Sequence, residues 1–478
     1  MINNIPTNRV IINEMVKLEQ KGIKDKFYYK SVNYWPAIRI RVSMSIIEKR
    51  YYYLTSKYKN FKELLNIFKL FRYYQNTAIR IDKLFITSDN YKIDVDGKKY
   101  DRVLEHYITK CKKNKHSYAE LNLTTGYLTY GNQNKVIYSI KGSITLIKLI
   151  TIIVCNINPI RNKNLLMGVR AIEKKIREIN SNFKMNYKSA YKHITFLRLL
   201  QNKFTKLLKL FHIKEIYQAT YYDPLGLSIN AAASRLNILT NCVQHGGQSR
   251  YNPAFGQWTN LPPSGYGMLP DTFLCWDKYS ANNIKEWASK NDHHTAKVVG
   301  YKWAEMWKNG DLKYTGTGNI ESLADGKMNI LYTMQPSIGL LPSIISDMIN
   351  HFQKKINWWF RLHPRQLKTK VNRDLLNSYA DCDNIFISKA SNEPLPAIMS
   401  IVDLHITSFS SCVYEAMAFN IPTIFIDKMG QDYFDDIIKT DAAKVCATFN
   451  ELKNDIIDRL ENYSTVKHCP VMDNIGNR

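Results

Sequence analysis

Short apolar runs alternate with helix-like segments through the second half of the chain. The apolar runs have the length of buried strands, and segments with small or amphipathic residues separate them. Strands are predicted at 213–219, 238–244, 273–276 and 297–300, and helices at 225–236 and 282–289. Because a strand, a helix and a second strand form a βαβ unit, this order predicts a parallel sheet.

A polar segment with several glycines, 309–327, separates this series from a second one. The second series has predicted strands at 329–334, 358–362, 384–387, 404–406 and 423–426, and predicted helices at 341–353 and 371–380. The sequence therefore predicts an α/β protein with two Rossmann-like domains that face each other across a cleft. The predicted domains are 79–310 and 311–478.

The residues before the first domain have a helical pattern. Apolar side chains recur every three or four positions in 61–74, which predicts a helical, basic leader over 1–78. A strand is predicted at 83–89. The Asp-Gly pair in 94–97 (DVDG) favours a tight turn, so a hairpin is expected after that strand.

Two long segments interrupt the first domain. Residues 144–157 are mostly apolar but contain Lys148 and fall short of the ~20 residues of a membrane-spanning helix. A buried strand or helix is the expected structure there. Residues 164–211 have Leu, Ile and Phe at helical spacing with many lysines, which predicts a helical hairpin inserted into the domain.

Composition excludes several classes of protein. With 478 residues, 45% of them hydrophobic, the chain can bury large cores, so long disorder is excluded as the main state. The eight cysteines form no CxxC pair and no Cys/His cluster, which argues against a zinc site or a disulfide scaffold. The first 22 residues lack the apolar centre of a signal peptide. We expect a cytoplasmic protein with reduced thiols.

The basic excess lies at one end of the chain. Lys and Arg minus Asp and Glu give +27 for residues 1–210 and −1 for residues 211–478. Clustered Lys and Arg would attract an anionic membrane surface or nucleic acid. The alternative is a codon usage rich in Lys, Asn and Ile, which spreads lysines over solvated faces. The anionic inner face of the cytoplasmic membrane is therefore one candidate partner.

One candidate catalytic motif follows the second predicted strand. Gln244-His245-Gly246-Gly247 lies at the carboxyl end of that strand, the edge at which open α/β sheets bind ligands. The glycines allow the backbone to approach a substrate, and His245 can remove a proton from an acceptor hydroxyl near neutral pH. The alternative is a histidine that only caps a turn. Arg250 follows the loop and is a candidate contact for an anionic acceptor or donor carboxylate.

A basic motif follows a strand of the second series. Arg361, His363 and Arg365 offer hydrogen-bond donors for phosphate oxygens, and Pro364 ends the strand. The alternative is a basic loop without a ligand. Gln335 follows another strand of that series and is placed, by position alone, near a nucleotide or its phosphate.

A serine-rich motif follows the predicted strand 404–406. Ser408, Ser410 and Ser411 precede a helix-like segment that contains Glu415. Hydroxyl groups and backbone amides at a helix N-terminus favour an anion. The alternative is an ordinary serine N-cap.

Together these motifs resemble those of GT-B glycosyltransferases that use sugar nucleotides. The sequence is similar to bacterial capsule and lipopolysaccharide transferases that use CMP-activated sialic acid or Kdo, and to the related CDP-glycerol glycerophosphotransferases. The resemblance covers about residues 211–450.

The resemblance implies a donor site in the second domain. In those families a His-Pro pair and a paired-serine motif hold the donor phosphate and nucleotide, and the matching residues here are His363-Pro364 and Ser410-Ser411. An acidic residue on the helix after the serine loop binds the ribose in many GT-B enzymes, and Glu415 has that place.

The resemblance also implies an acceptor base in the first domain. A His-Gly loop carries this base in the glycerophosphotransferases, and His245-Gly246 matches it. The acidic Asp/Glu-Asp/Glu-Gly motif that supplies the base in several bacterial sialyltransferase families has no clear counterpart.

The sequence thus predicts a metal-independent GT-B glycosyltransferase of surface-polysaccharide synthesis. A CMP-sugar is the favoured donor, and the acceptor would be a polysaccharide or a lipid-linked saccharide. The Asp-x-Asp triplet at 94–96 lies in a predicted turn, so no metal and no cofactor besides the nucleotide-activated co-substrate is expected. One alternative is a CDP-glycerol-type polyol-phosphate transferase. A lower alternative is a nucleic-acid-binding protein that uses the basic N-terminal region.

Overall fold

The structure is a computed structural model. It describes residues 6–29, 31–47, 79–131, 135–157, 162–324, 326–335, 341–364, 366–367, 369–440 and 442–467. Two compact units divide the chain, one within Met1–Ile93 and Lys99–Trp303 and the other within Asp94–Lys98 and Ala304–Arg478. The predicted helix at 61–74 lies outside the described residues.

An eight-stranded sheet is the centre of the first unit, with the order β12-β11-β10-β9-β3-β6-β7-β8 among the described residues. The strands up to β12 are β1 (Tyr28–Tyr29), β2 (Val32–Asn33), β3 (Lys83–Thr87), β4 (Lys92–Val95), β5 (Lys98–Asp101), β6 (Tyr118–Asn122), β7 (Tyr127–Tyr130), β8 (Lys135–Ser139), β9 (Glu215–Gln218), β10 (Leu239–Val243), β11 (Thr272–Cys275) and β12 (Thr295–Val298). From β12 to β6 all neighbours are parallel, whereas β7 and β8 extend the sheet in antiparallel order. The predicted parallel sheet is confirmed, and the antiparallel extension was not predicted.

Several helices of the first unit begin at residues that favour a helix start. The helices of this unit are α1 (Asn8–Gln20), α2 (Trp35–Ile47), α3 (Glu105–Lys113), α4 (Lys141–Ile157), α5 (Lys163–Arg177), α6 (Tyr187–Leu210), α7 (Pro224–Ser234) and α8 (Lys278–Ala288). The start of α7 is typical: Asp223 accepts a hydrogen bond from the Gly226 amide, and Pro224 occupies the first turn. The predicted helical hairpin is confirmed as α5 and α6.

The N-terminal helices pack into the core of the first unit. Apolar side chains of α1 and α2, such as Met15 and Ile38, share one buried cluster with Phe255 and Trp258 from the loop before β11. This burial makes the described part of the predicted leader a structural part of the first unit. The residues of α4 include the apolar stretch 144–157, and no helix among the described residues has the length and apolar content to cross a membrane.

The second unit contains a six-stranded, fully parallel sheet with the order β15-β14-β13-β16-β17-β18 among its described residues. Its strands are β13 (Met328–Thr333), β14 (Ile356–Arg361), β15 (Ile385–Phe386), β16 (Leu404–Thr407), β17 (Thr423–Phe425) and β18 (Ala443–Val445). Numbered from its first strand, the order is 3-2-1-4-5-6, the order of nucleotide-binding Rossmann folds. The α/β class with Rossmann-like sheets in both parts of the chain is therefore confirmed.

Helices join these strands or flank them. α9 (Lys302–Lys308) spans the boundary of the units, and the others are α10 (Thr317–Ala324), α11 (Ser343–Phe352), α12 (Lys370–Ser378), α13 (Ser388–Asn392), α14 (Leu395–Met399), α15 (Val413–Ala418), α16 (Lys428–Ile438) and α17 (Phe449–Lys467). The sequence pattern did not predict β18 or α17.

His405 is a buried polar side chain in the middle of the second sheet. Its Nε2 lies 2.9 Å from Thr333 Oγ1 on β13, and its Nδ1 lies 3.0 Å from Thr423 Oγ1 on β17. Burial lowers the pKa of His405 to about 3. The imidazole is therefore neutral in the folded protein, with both nitrogens hydrogen-bonded to hydroxyl groups of the neighbouring strands.

This burial predicts a loss of stability in acid. The unfolded chain binds a proton at His405 below about pH 6.5, whereas the folded chain does not until about pH 3, so unfolding becomes easier as the pH falls through this range. We expect His405 to contribute a decrease of about 1.4 kcal/mol in unfolding free energy per pH unit between pH 6 and 4. Denaturant unfolding of wild type and His405→Gln measures it as a difference in slope, and equal slopes would contradict it.

Candidate active site

Loops after three neighbouring strands bring an aromatic cluster together at the carboxyl edge of the first sheet. Tyr91 follows β3, Tyr222 follows β9 and His245 follows β10. The three strands are adjacent and parallel. Residues separated by as many as 154 positions therefore meet around the predicted catalytic histidine, at the kind of sheet edge where ligands bind.

The imidazole of His245 lies between the two tyrosines. Tyr222 Oη is 3.1 Å from His245 Nε2, within hydrogen-bond distance, and the two rings stack with centroids 5.9 Å apart. Tyr91 presents its ring at a steep angle of 65°, with a centroid distance of 5.3 Å. The Tyr91 hydroxyl is held in turn by Thr220 Oγ1 at 2.6 Å. These contacts fix the plane of the imidazole.

The electrostatic surroundings keep His245 neutral. Burial and, to a smaller extent, the positive charge of Arg102 lower its pKa to about 4, although hydrogen bonding to the carbonyls of Ala219 and Val243 acts in the opposite direction. Arg102 also lies over the Tyr91 ring, 5.8 Å from its centroid. At neutral pH the half-buried imidazole therefore has a lone pair available to accept a proton.

The loop that carries His245 is held by the side chain of Gln244, which is fully buried. Gln244 Nε2 donates to the Gly246 carbonyl at 3.1 Å and to Ser280 Oγ at 3.0 Å, while Oε1 accepts from the Trp276 amide at 2.7 Å. Asn252 adds a hydrogen bond to the Gly247 carbonyl. The loop is thus tied to β11 and α8, which gives His245 a fixed position on a rigid support.

Gly246 leaves open space beside His245. A Cβ built on Gly246 meets no atom within 4 Å, and its backbone is not among those with a positive φ. Among the described residues of the first unit, no contact therefore requires glycine at this position. The open space is consistent with the predicted approach of a substrate to the backbone.

Two glycine substitutions test whether Gly246 makes room for a substrate or is needed for folding. We expect Gly246→Ala to change the unfolding free energy by less than about 0.5 kcal/mol but to raise the KM for the acceptor. Gly226→Ala is the control for a crowded glycine, because its Cβ would lie 2.6 Å from the Thr220 carbonyl oxygen, so this variant should lose stability. An unchanged KM in Gly246→Ala would show that no substrate approaches there.

Arg250 lies at the surface beyond this loop. Its guanidinium forms an ion pair with Glu286 at 3.1 Å, and both side chains are about half exposed. The predicted contact of Arg250 with an anionic substrate would have to compete with this pair.

The candidate donor site is at the carboxyl edge of the second sheet. In the strand order 3-2-1-4-5-6 the connections leave in opposite directions from β13 and β16, and ligands bind at this switch point. Gln335 follows β13, and Ser408, Ser410 and Ser411 follow β16. His363 follows β14, the other neighbour of β13. The second unit thus brings these predicted donor residues to one edge.

Gln366 joins two of these loops, although the sequence motifs did not single it out. Its Oε1 accepts from the His363 amide at 3.0 Å, and its Nε2 donates to the Gln335 carbonyl at 3.1 Å. Gln366 is buried. It therefore holds the His363 loop and the Gln335 loop in a fixed relation.

The arginines of the basic motif have different positions. Arg361 Nη1 donates to the carbonyls of Ala390 and Glu393 at 2.5 and 2.8 Å, so this guanidinium supports the segment around α13. Arg365 lies outside the described residues.

The serine loop is shaped by its own hydroxyl groups. The Ser410 amide donates to Thr407 Oγ1 at 3.2 Å, and Ser410 Oγ accepts from the Cys412 amide at 3.2 Å. Ser411 is exposed and Ser408 is buried. Glu415 is also buried, within the six-residue helix α15. The Ser410 side chain thus closes a turn in the loop before α15, and Ser411 offers an accessible hydroxyl at the switch point.

The described residues contain no group of three or more His, Cys, Asp or Glu side chains arranged to hold a metal ion. The triplet Asp94-Val95-Asp96 lies at the predicted turn between β4 and β5. Asp96 and Gly97 have positive φ angles of 51° and 79°, and the Gly97 amide donates to Asp94 Oδ1.

No protein-family model matches the sequence, and no curated protein sequence is significantly similar to it. Solved structures with a similar fold include the UDP-GlcNAc 2-epimerase of Methanocaldococcus jannaschii in complex with UDP-GlcNAc and UDP, at 13% identity, a TM-score of 0.46 and coverage of 80% of this chain and 93% of that chain. The UDP-GlcNAc 2-epimerase of Neisseria meningitidis bound to UDP-GlcNAc has 12% identity, a TM-score of 0.45 and coverage of 82% and 92%.

A variant of the wall teichoic acid polymerase TagF also has a similar fold. It shares 12% identity with a TM-score of 0.41, and the match covers 84% of this chain and 90% of that chain. Similarity at this level concerns the arrangement of strands and helices. The chemistry of each residue here is therefore argued from its own surroundings.

Proposed function

We propose that this protein is a metal-independent transferase of the GT-B type that moves a sugar from a nucleotide-activated donor to a hydroxyl group of a surface-polysaccharide acceptor. The observation that carries the proposal is the strand order of the second sheet, since it brings His363, Gln335 and the serine loop to the switch point. A CMP-sugar is the favoured donor, because His363-Pro364 and Ser410-Ser411 resemble the motifs of CMP-sugar transferases.

In the proposed donor site the protein supplies hydrogen bonds to the phosphate of the nucleotide. His363 and the Ser411 hydroxyl are the contacts that we assign to phosphate oxygens, with Arg365 as a further donor. Glu415 and Gln335 are assigned to the ribose and the nucleotide. Donors held in place before the reaction stabilise the negative charge that develops on the departing nucleotide phosphate.

In the proposed acceptor site His245 is the general base. Its neutral imidazole takes the proton of the acceptor hydroxyl as that oxygen attacks the anomeric carbon and the bond from this carbon to the nucleotide phosphate breaks. The hydrogen bond between Tyr222 Oη and His245 Nε2 orients the imidazole ring. The open space at Gly246 would receive the acceptor, next to Gly247 and with Arg250 at its outer end.

A polyol-phosphate transfer from a CDP-activated donor is the second candidate. It is favoured by the His245-Gly246 loop, which resembles the acceptor loop of glycerophosphotransferases. In this reaction the acceptor oxygen attacks phosphorus, CMP leaves, and the product gains a phosphodiester.

Product analysis tests both candidates. The full chain is incubated with CMP-activated sialic acid, CMP-Kdo or CDP-glycerol and with saccharide acceptors, and products are identified by mass spectrometry. A product that gains a sugar without phosphorus supports glycosyl transfer, and one that gains phosphorus supports the alternative. Absence of transfer from all donors, with a folded protein, would contradict the proposal.

A further inference from the structure

Helix α4 is apolar on two sides. One side contains Ile147, Thr151 and Cys155, which are all buried. These three residues follow each other at intervals of four, so they form a single face of the helix. This face accounts for the packing of α4 within the first unit.

The outer side of α4 carries a second apolar stripe. At 100° per residue, the centre of this stripe lies about 130° from the centre of the buried face, and Val154 forms the edge nearest to that face. They recur at intervals of one or three positions and are Leu146, Leu149, Ile150, Ile153, Val154 and Ile157. Ile153 is 45% exposed, Val154 36% and Ile157 78%, while the first three are partly exposed. A soluble helix normally turns polar residues outward, so this outer stripe needs a partner.

Helix α6 packs against α4 and brings positive charge to this part of the first unit. Burial raises the pKa of the Cys155 thiol, and the positive charges of Lys192 and Lys188 act in the opposite direction, which places both lysines near the C-terminal half of α4. The neighbouring Lys188 side chain is exposed.

Acidic residues are absent from this region of the sequence. Residues 141–172 and 179–214 contain no Asp or Glu, and these ranges include all of α4 and α6. An exposed aliphatic stripe on a pair of packed helices that carry lysines but no acidic residue is complementary to a surface with acyl chains and negative headgroups. Protein interfaces usually add Trp, Tyr or Arg at their centre, and the stripe has none.

We propose that the outer stripe of α4 docks the protein on an anionic lipid bilayer, with the helix lying in the plane of the interface. Ile153, Val154 and Ile157 enter the boundary between headgroups and acyl chains, and the lysines contact lipid phosphates. The helix has 17 residues and lies on the surface in this arrangement. The proposal goes beyond the transfer reaction and does not depend on it.

Sedimentation with vesicles tests the docking. The full chain is mixed with phosphatidylglycerol vesicles or phosphatidylcholine vesicles, as wild type, as I153Q/I157Q and as Leu239→Gln. Leu239 is the matched control, because it has the same 45% exposure as Ile153 but lies at the start of β10. Thermal unfolding verifies that each variant is folded.

We expect wild type and Leu239→Gln to bind phosphatidylglycerol vesicles, and I153Q/I157Q to bind at least about tenfold more weakly. Binding to phosphatidylcholine should be weaker for all three proteins. Equal binding of I153Q/I157Q and wild type would overturn the proposal. A second result would also overturn it. If wild type is a dimer, and I153Q/I157Q is monomeric but still binds vesicles, the stripe mediates self-association and not membrane docking. Nucleotide binding by the same samples tests the proposed transferase separately.

Discussion

Replacing His245 with alanine is expected to lower kcat/KM for transfer by a factor of about 10² to 10⁴, the usual contribution of a general base. The physical reason is that His245 is held beside Tyr222 and Tyr91 in a neutral state, ready to accept a proton. Transfer is measured by release of the nucleotide in the presence of acceptor. His293→Ala is the control, since His293 is exposed elsewhere in the first unit.

The pH dependence of the same reaction gives an independent check. Because the pKa of His245 is about 4, protonation of this base should reduce kcat/KM only below about pH 5. Between pH 5 and pH 8, titration of His245 should leave kcat/KM unchanged. Arg102→Gln removes a positive charge that lowers this pKa, so the acidic limb should move to higher pH. A limb that stays in place in Arg102→Gln, or full activity in His245→Ala, would exclude His245 as the base.

The second large effect concerns stability. Arg39→Ala is expected to lower the free energy of unfolding by about 3–5 kcal/mol, because it leaves the buried carboxylate of Glu19 without its charge partner. Arg39 Nε lies 3.4 Å from Glu19 Oε1, and both side chains are fully buried. Arg39 also donates to the Gly256 carbonyl at 2.7 Å, and its guanidinium lies 3.8 Å from the centroid of the Trp258 ring.

Glu19 joins the N-terminal helices to the loop before β11. It accepts hydrogen bonds from Trp35 Nε1 and from the amide and hydroxyl of Thr259, each at 2.8 Å. Lys214→Ala is the matched control, since it breaks an exposed ion pair with Asp82 at 2.7 Å that should contribute less than about 1 kcal/mol. Denaturant unfolding compares the two variants. Similar losses in both would show that the buried pair does not hold these helices in place.

The parallel strands were predictable because each is a short apolar run beside a helix-like segment. The strands β9, β10, β13 and β14 lie within the predicted runs or within two residues of them. The strands β6, β7 and β8 escaped prediction, since polar residues interrupt their apolar residues and leave no continuous apolar run. Pairing between distant segments decides such strands more than local propensity does.

The site was predictable only in part, and for a similar reason. His245 and the serine loop follow strands, so their edge of the sheet could be derived from the sequence order. Tyr222 and Gln366 act through contacts that the strand order creates, and no local motif marks them. The Glu19 to Thr259 contact joins residues 240 positions apart, which no periodic pattern can reveal.

Thermal unfolding with nucleotides tests the central claim, a nucleotide site at the switch point of the second sheet. At 100 times Kd, CMP or CDP should stabilise the folded protein by about 2.7 kcal/mol, which raises Tm by about 5–10 °C for a domain of this size. We predict this shift for wild type and His245→Ala, and a much smaller one for His363→Ala. A rise in Tm with UDP or GDP but not with CMP or CDP would support the nucleotide site and exclude a cytidine-activated donor. Absence of a shift with every nucleotide, or an equal shift in His363→Ala, would contradict the account.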